Sequence, residues 1–118
     1  MTALDDFFGA WTEADAQAQA DQIKGAMASD FHYADPRSDG KITDLDALTA
    51  YVAQFLPMCP PGAKVEVAQP VDESGGHFRA TVNFIMSKDM VQVGQYFGKL
   101  DGDGKIARIF GFVGKGAD

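Results

Sequence analysis

The chain has 118 residues, 46% of them hydrophobic, and a formal net charge of −7. That size suits one domain, residues 1–118, with enough apolar material for a true core, so disorder is disfavoured. The acidity disfavours nucleic acid, whose phosphates call for a basic surface, and an anionic membrane surface; no apolar run approaches the roughly 20 residues of a membrane helix.

The start, MTALDDFFGAW, has no basic region ahead of an apolar one, so no secretory signal is expected. Leu4, Phe7, Phe8 and Trp11 fall at i, i+3, i+4 and i+7, one face of an amphipathic helix. Thr2 with Asp5 resembles a capping box. A second helix is predicted over residues 15–28, with Ala16, Ala20, Ile23 and Met27 on one face and Thr12 with Asp15 as its cap. At FHYADPRSDG, residues 31–40, the period changes to two: Phe31, Tyr33 and Asp35 share one side of a strand that Pro36 ends, because proline offers no N–H to the ladder.

Asp44 is placed to cap a third helix over residues 45–56, with Leu45, Leu48, Tyr51, Val52 and Phe55 as its stripe. Pro57, Pro60, Pro61 and Gly62 stop it, and Cys59, the only cysteine, lies in this PMCPPG loop. A lone thiol forms no internal disulfide, which fits a reducing, cytoplasmic setting; it reads as a loop thiol. Strands follow at 64–71, 77–86, 90–100 and 105–113, joined by turns at Ser74-Gly75-Gly76, Ser87-Lys88-Asp89 and Asp101-Gly102-Asp103-Gly104. Along 77–86, Phe78, Ala80, Val82, Phe84 and Met86 alternate with His77, Arg79, Thr81 and Asn83. Helix, helix, strand, helix and four strands joined by hairpins make an α+β chain, its helices covering one face of a mainly antiparallel sheet.

Residues 35–46, DPRSDGKITDLD, overlap a calcium-loop pattern, with acids at loop positions 1, 5 and 12 and glycine at 6. Arg37 stands where a ligand oxygen belongs, Pro36 precedes it, and the stretch before reads as strand rather than helix. Two glycine turns with solvated acids is the better reading. Two histidines and one cysteine give no metal site, and no Ser/His/Asp or Cys/His set is visible. His32 and His77 read as surface or interface residues.

The element order, with FFGAW, FHYADPRSDG, DALTAYVAQF, RATVNF, GQYFGKLDGDGKI and IARIFGFVG in sequence, resembles the nuclear-transport-factor-2-like superfamily over nearly the whole chain, and within it the SnoaL-like and ketosteroid-isomerase-like branch. The resemblance implies a cone-shaped curved antiparallel sheet wrapped by three N-terminal helices around a deep apolar pocket. It implies that Asp35 matches the aspartate acting as general base in ketosteroid isomerase, with Phe31 and Tyr33 beside it facing inward. A carboxylate poorly solvated in an apolar pocket is a stronger proton acceptor near neutral pH. The oxyanion hole of that family departs: its first-helix tyrosine matches Phe7, which has no hydroxyl, and its second donor matches Tyr96, within one residue. Losing one such donor typically costs about 100- to 1000-fold in rate, so steroid isomerisation is not expected.

The site expected from the resemblance has Asp35 as acid or base and Tyr96 as hydrogen-bond donor, with Phe7, Trp11, Phe31, Tyr33, Tyr51, Phe55, Val65, Val82 and Phe84 lining a pocket for a small apolar organic ligand. Asp35 could instead cap the turn that Pro36 starts. Arg37 could gate the mouth towards an anionic ligand or pair with a nearby acid. No metal or nucleotide cofactor is implied. With Phe78, Val82 and Phe84 inward, the polar back of the sheet would pack against its twin in a homodimer. A one-residue slip would instead send Arg79 and Asn83 into the pocket. The function expected is small-molecule binding with isomerisation, cyclisation or dehydration; the alternative is a non-catalytic ligand- or protein-binding module.

Overall fold

The first helix forms as α1, Ala3–Gly9, and its apolar face continues through a 3-10 turn at Ala10–Thr12. This computed structural model describes residues 3–38 and 40–114, so the cap expected from Thr2 lies outside the described residues. The second helix, α2, runs Ala16–Ala26. Its N-cap is Asp15 itself, whose carboxylate accepts from the Ala18 N–H at 2.8 Å; Thr12, expected to share that role, instead donates its hydroxyl to the Gly9 carbonyl at 3.4 Å. Two amides hold the helices together: buried Gln19 donates to the Ala10 carbonyl at 2.9 Å, and Gln22 to the Asp6 carbonyl at 2.8 Å.

The helix stops two residues before the expected end, because Met27 is already extended. Strand β1 therefore spans Met27–Ala34, four residues earlier than its alternation suggested. An irregularity in its pairing between Met27 and His32 hides the period of two in that stretch. Helix α3, Leu45–Ala53, is capped by Asp44, which accepts from the Ala47 N–H at 3.0 Å. It gives way to a 3-10 turn at Leu56–Met58 rather than continuing to residue 56, with Pro57 inside that turn. The strand expected over 64–71 is split: β2 is Lys64–Val67, the Gln69–Pro70 bond is cis, and a short β3 follows at Asp72–Ser74. Then come β4, His77–Ser87, β5, Met90–Leu100, and β6, Ile106–Val113.

The six strands form one curved, unclosed sheet in the order β1-β6-β5-β4-β2, with β3 also on β4. All pairs are antiparallel except β1 with β6, which run parallel. The sheet is thus mainly antiparallel, as expected; β1 and β6 are joined through α3 and the whole meander, a connection long enough to bring β6 back in the same direction. Phe78, Ala80, Val82 and Phe84 are buried while Arg79 is exposed and paired with Asp72 at 2.8 Å. This register turns the apolar face of β4 inward and keeps Arg79 and Asn83 off the core side. Two glycines make the sheet possible. A Cβ on Gly98 would stand 1.7 Å from the Arg108 carbonyl oxygen, and one on Gly111 2.4 Å from the Tyr96 ring. Among the described residues, no helix is long and apolar enough to cross a membrane.

Candidate functional site

Asp35 follows the last residue of β1, where the chain must leave the sheet. Its Oδ1 accepts the backbone N–H groups of Arg37 and Ser38, both at 2.8 Å, and Ser38 Oγ accepts the Asp35 N–H at 3.0 Å. That is an Asx-type turn, the local role a strand-end aspartate before proline can take. The same carboxylate also reaches inward. Tyr33, two residues back and so on the same face of the strand, donates its hydroxyl to Oδ2 at 2.5 Å. Tyr51, on α3, donates to the two oxygens at 2.7 and 2.8 Å. Four donor groups thus meet one carboxylate, and two of them are phenols.

Tyr96, on β5, borders the same cavity as Asp35 and Tyr51. All three phenols are held protonated beyond their ordinary range. For Tyr33 burial is the main cause, followed by the neighbouring Tyr96 and Asp35 charges. For Tyr51 burial leads and the hydrogen bond to Asp35 adds to it. For Tyr96 burial leads, then the Asp35 charge, with Tyr33 and Arg37 opposing. At neutral pH these groups are therefore donors, not nucleophiles or bases.

A cavity of about 310 Å³ opens beside the cluster, the low end of what a small-molecule site occupies. Its walls are Trp11, Tyr51, Phe55, Phe84 and Tyr96, and its rim carries Asp35, Pro36, Arg37, Gln92, Val93, Phe112 and Val113. The Trp11 ring meets Tyr51, Phe55 and Phe84 edge to face, with centroids 5.4 to 6.2 Å apart. Its Nε1–H is buried without a hydrogen-bond partner. A larger groove, about 510 Å³, lies between α1, the cis Gln69–Pro70 bend and the turn before β6. It lacks aromatic walls and a convergent polar cluster, so the smaller cavity is the better candidate.

Of the residues expected in the pocket, Trp11, Tyr51, Phe55 and Phe84 line the cavity together with Asp35 and Tyr96. Phe7, Phe31 and Val82 belong instead to the packed core and do not line it, nor does half-buried Val65 on β2. Tyr33 is fully buried and meets the site through its hydroxyl on Asp35 and its ring against Tyr51. Tyr51 was legible as a wall but not as a partner of Asp35. Gln92, Val93, Phe112 and Val113 were missed: they lie where β5 begins and β6 ends, and strand alternation does not say which strand ends border an opening. The segment before Asp35 is strand, and its Oδ1 serves the turn, unlike a calcium-loop first position.

No protein-family model matches the chain, and no curated protein matches it. Solved structures do. A SnoaL-like family protein from Agrobacterium tumefaciens str. C58, an isomerase by assignment only, superposes with a TM-score of 0.80 at 22% identity, over 96% of this chain and 95% of that one. An NTF2-like protein of unknown function from Exiguobacterium sp. 255-15 gives 0.66 at 21%, over 97% and 99%. A protein assigned as a ketosteroid isomerase from Kribbella flavida DSM 17836 gives 0.66 at 17%, over 98% and 78%. The fold is therefore that of the nuclear-transport-factor-2-like superfamily, shared with SnoaL-like and ketosteroid-isomerase-like proteins.

Proposed function

We propose that the protein binds a small organic molecule in the cavity beside Asp35 and moves a proton next to a carbonyl, as in isomerisation, cyclisation or dehydration. One observation carries this reading: a carboxylate that accepts the phenols of Tyr33 and Tyr51 stands with Tyr96 at the edge of an aromatic cavity. Asp35 would accept the proton released from a carbon next to the carbonyl. The electron pair would move onto the carbonyl oxygen, and Tyr96 would donate to that oxygen until the proton returns at a second position. The isomerase assignments among the structural neighbours support the class at the level of fold alone.

The rival reading is a non-catalytic binding module, and a specific observation favours it. A carboxylate has about four lone-pair sites, and four donor groups already claim those of Asp35. Phe7 also lacks the hydroxyl of a second oxyanion donor and lies buried in the core. The deciding experiment follows deuterium uptake at carbonyl α-carbons by NMR in a panel of small ketones, with Asp35→Asn as control. Uptake that falls at least 100-fold in the variant supports Asp35 as the base; uptake that survives the substitution removes it from that role. We further propose that two copies associate through the outer face of the sheet, where Phe97 and Phe112 stand exposed, and that the protein works in the cytoplasm, where a lone unpaired thiol is at home.

A further inference from the structure

The cavity's polar groups are unevenly matched, and the mismatch describes the ligand. Its one carboxylate, Asp35, already accepts from two phenols and two backbone N–H groups. Among the other residues that line it, Arg37 brings the one cation. The Arg37 guanidinium borders the cavity and forms no ion pair among the described residues, although the chain carries 17 acids against 10 bases. Its charge opposes the upward shift of the Tyr51 and Tyr96 phenols, whose residues line the same cavity. A hydrocarbon would leave this charge without a partner at the rim, and a protonated amine would meet like charge there.

We infer that the cavity selects small aromatic or alicyclic acids, with the ligand's carboxylate on Arg37 and its ring against Trp11, Phe55 and Phe84. This deepens the small-molecule reading above and rests on it. Arginine suits the role because its planar fork meets a carboxylate with two parallel hydrogen bonds. The aromatic walls supply the rest of the binding through buried area, and 310 Å³ accommodates a ring with a short acidic arm.

Trp11 is the only tryptophan and lines the cavity, so its fluorescence reports occupancy directly. The test titrates the protein with 3-phenylpropanoate and with 3-phenylpropanamide, matched in shape and differing in charge. The acid is expected to bind about 10-fold or more tighter than the amide, the value of one charge-assisted pair. Arg37→Gln is expected to abolish that preference and leave the amide unchanged, while Arg37→Lys keeps part of it. Arg37 is exposed and its side chain makes no hydrogen bond among the described residues, so both variants should fold; raising the salt on the unaltered protein offers the same test, weakening only the acid. Equal binding of acid and amide, or a preference that survives Arg37→Gln, overturns the acid selectivity while leaving the cavity as a binding site. Failure of both probes to perturb Trp11 overturns the binding reading as well.

Discussion

Tyr96 and Phe97 are neighbours on β5, yet they belong to two unlike aromatic clusters. On the inner face Tyr96 joins Phe8, Trp11, Phe55 and Phe84, rings that are nearly all buried and meet mostly at steep angles. On the outer face Phe97 stacks on Phe112 with centroids 5.5 Å apart and planes 3° from parallel, and Phe110 leans on Phe97. Phe97 is 46% exposed and Phe112 55%. The two clusters share residue type and strand, so the aromatic rings alone do not make a ligand site. The inner cluster has an opening and a set of oriented polar groups, whereas the outer one is a flat apolar patch of the kind that covers itself with another surface. Phe112 belongs to both, since it also borders the cavity rim.

The harshest way to break the comparison is to remove the frame that holds both clusters. Gly98 pairs with Ile109 across β5 and β6, and a Cβ there would stand 1.7 Å from backbone of Arg108. Backbone cannot yield as a side-chain tip can, so Gly98→Ala is expected to cost more than about 4 kcal/mol and leave little folded protein by circular dichroism. A cooperative native melt within a few degrees of the unaltered protein would show that β5 and β6 separate more freely than their register implies.

Next in size is the contrast between the faces themselves. Trp11→Ala empties the middle of the inner cluster and should cost about 3–5 kcal/mol in a denaturant melt. Phe97→Ala removes an exposed ring and should cost less than about 1 kcal/mol at protein concentrations low enough to keep the chain alone. Similar losses from the two would mean that the outer cluster is part of the core's stability and not a free surface.

Alkaline pH separates the faces without mutation, because all three tyrosines of the chain lie in the inner cluster. Each is raised above its ordinary value of 10.0 in the folded chain. Above pH 10 the unfolded chain gives up phenol protons that the folded chain keeps, so the stability these neutral phenols contribute is complete below pH 10 and declines as the pH climbs past it. Tyrosinate absorbance near 295 nm should therefore rise together with loss of the circular dichroism signal, in one cooperative step. A tyrosine that ionises near pH 10 while the fold persists would contradict the enclosed cluster.

A milder probe is Tyr51→Phe, which keeps the ring and removes one donor to Asp35. A hydrogen bond to a charged group is worth about 1.5–3 kcal/mol, discounted here because Tyr51 is only half-buried. A loss of about 1 kcal/mol is expected. No loss would mean that water replaces the phenol and that the bond positions Tyr51 without stabilising the fold.

Much of this arrangement was legible in the chain because it follows from period and punctuation. The i, i+3, i+4, i+7 spacing from Leu4 to Trp11 and the alternation from Phe78 to Phe84 each mark a buried face. What the sequence did not disclose depends on distance in space. Tyr51 meets Asp35 across 16 residues, and a helical stripe tells which side of α3 is buried but not which hydroxyl ends on which carboxylate. The resemblance to ketosteroid isomerase pointed to Asp35 and Tyr96 and gave Tyr33 and Tyr51 as pocket walls, not as the donors that bind Asp35 directly. The strand expected over 64–71 ends at Val67 and a separate one begins at Asp72, because alternation at Val65 and Val67 cannot reveal where a ladder bends.

The smallest expected effect on the single chain is the one that tests the outer cluster most directly. Phe97→Ser replaces an exposed ring that touches chiefly Phe110 and Phe112, so the fold should lose no more than about 0.5–1 kcal/mol. If two copies cover this patch, however, the unaltered protein must be stabilised by mass action, with a melting temperature that rises with protein concentration. The variant should then lose that dependence and sediment as a single chain. Phe112 makes this more than a question of assembly, because it connects the patch to the cavity rim. Covering the outer face would narrow the rim and shield the Arg37 side from water, so dissociation should weaken acid binding even though Phe97 does not line the cavity. Ligand affinity unchanged in a dissociated variant would show that the two clusters share a residue but not a function.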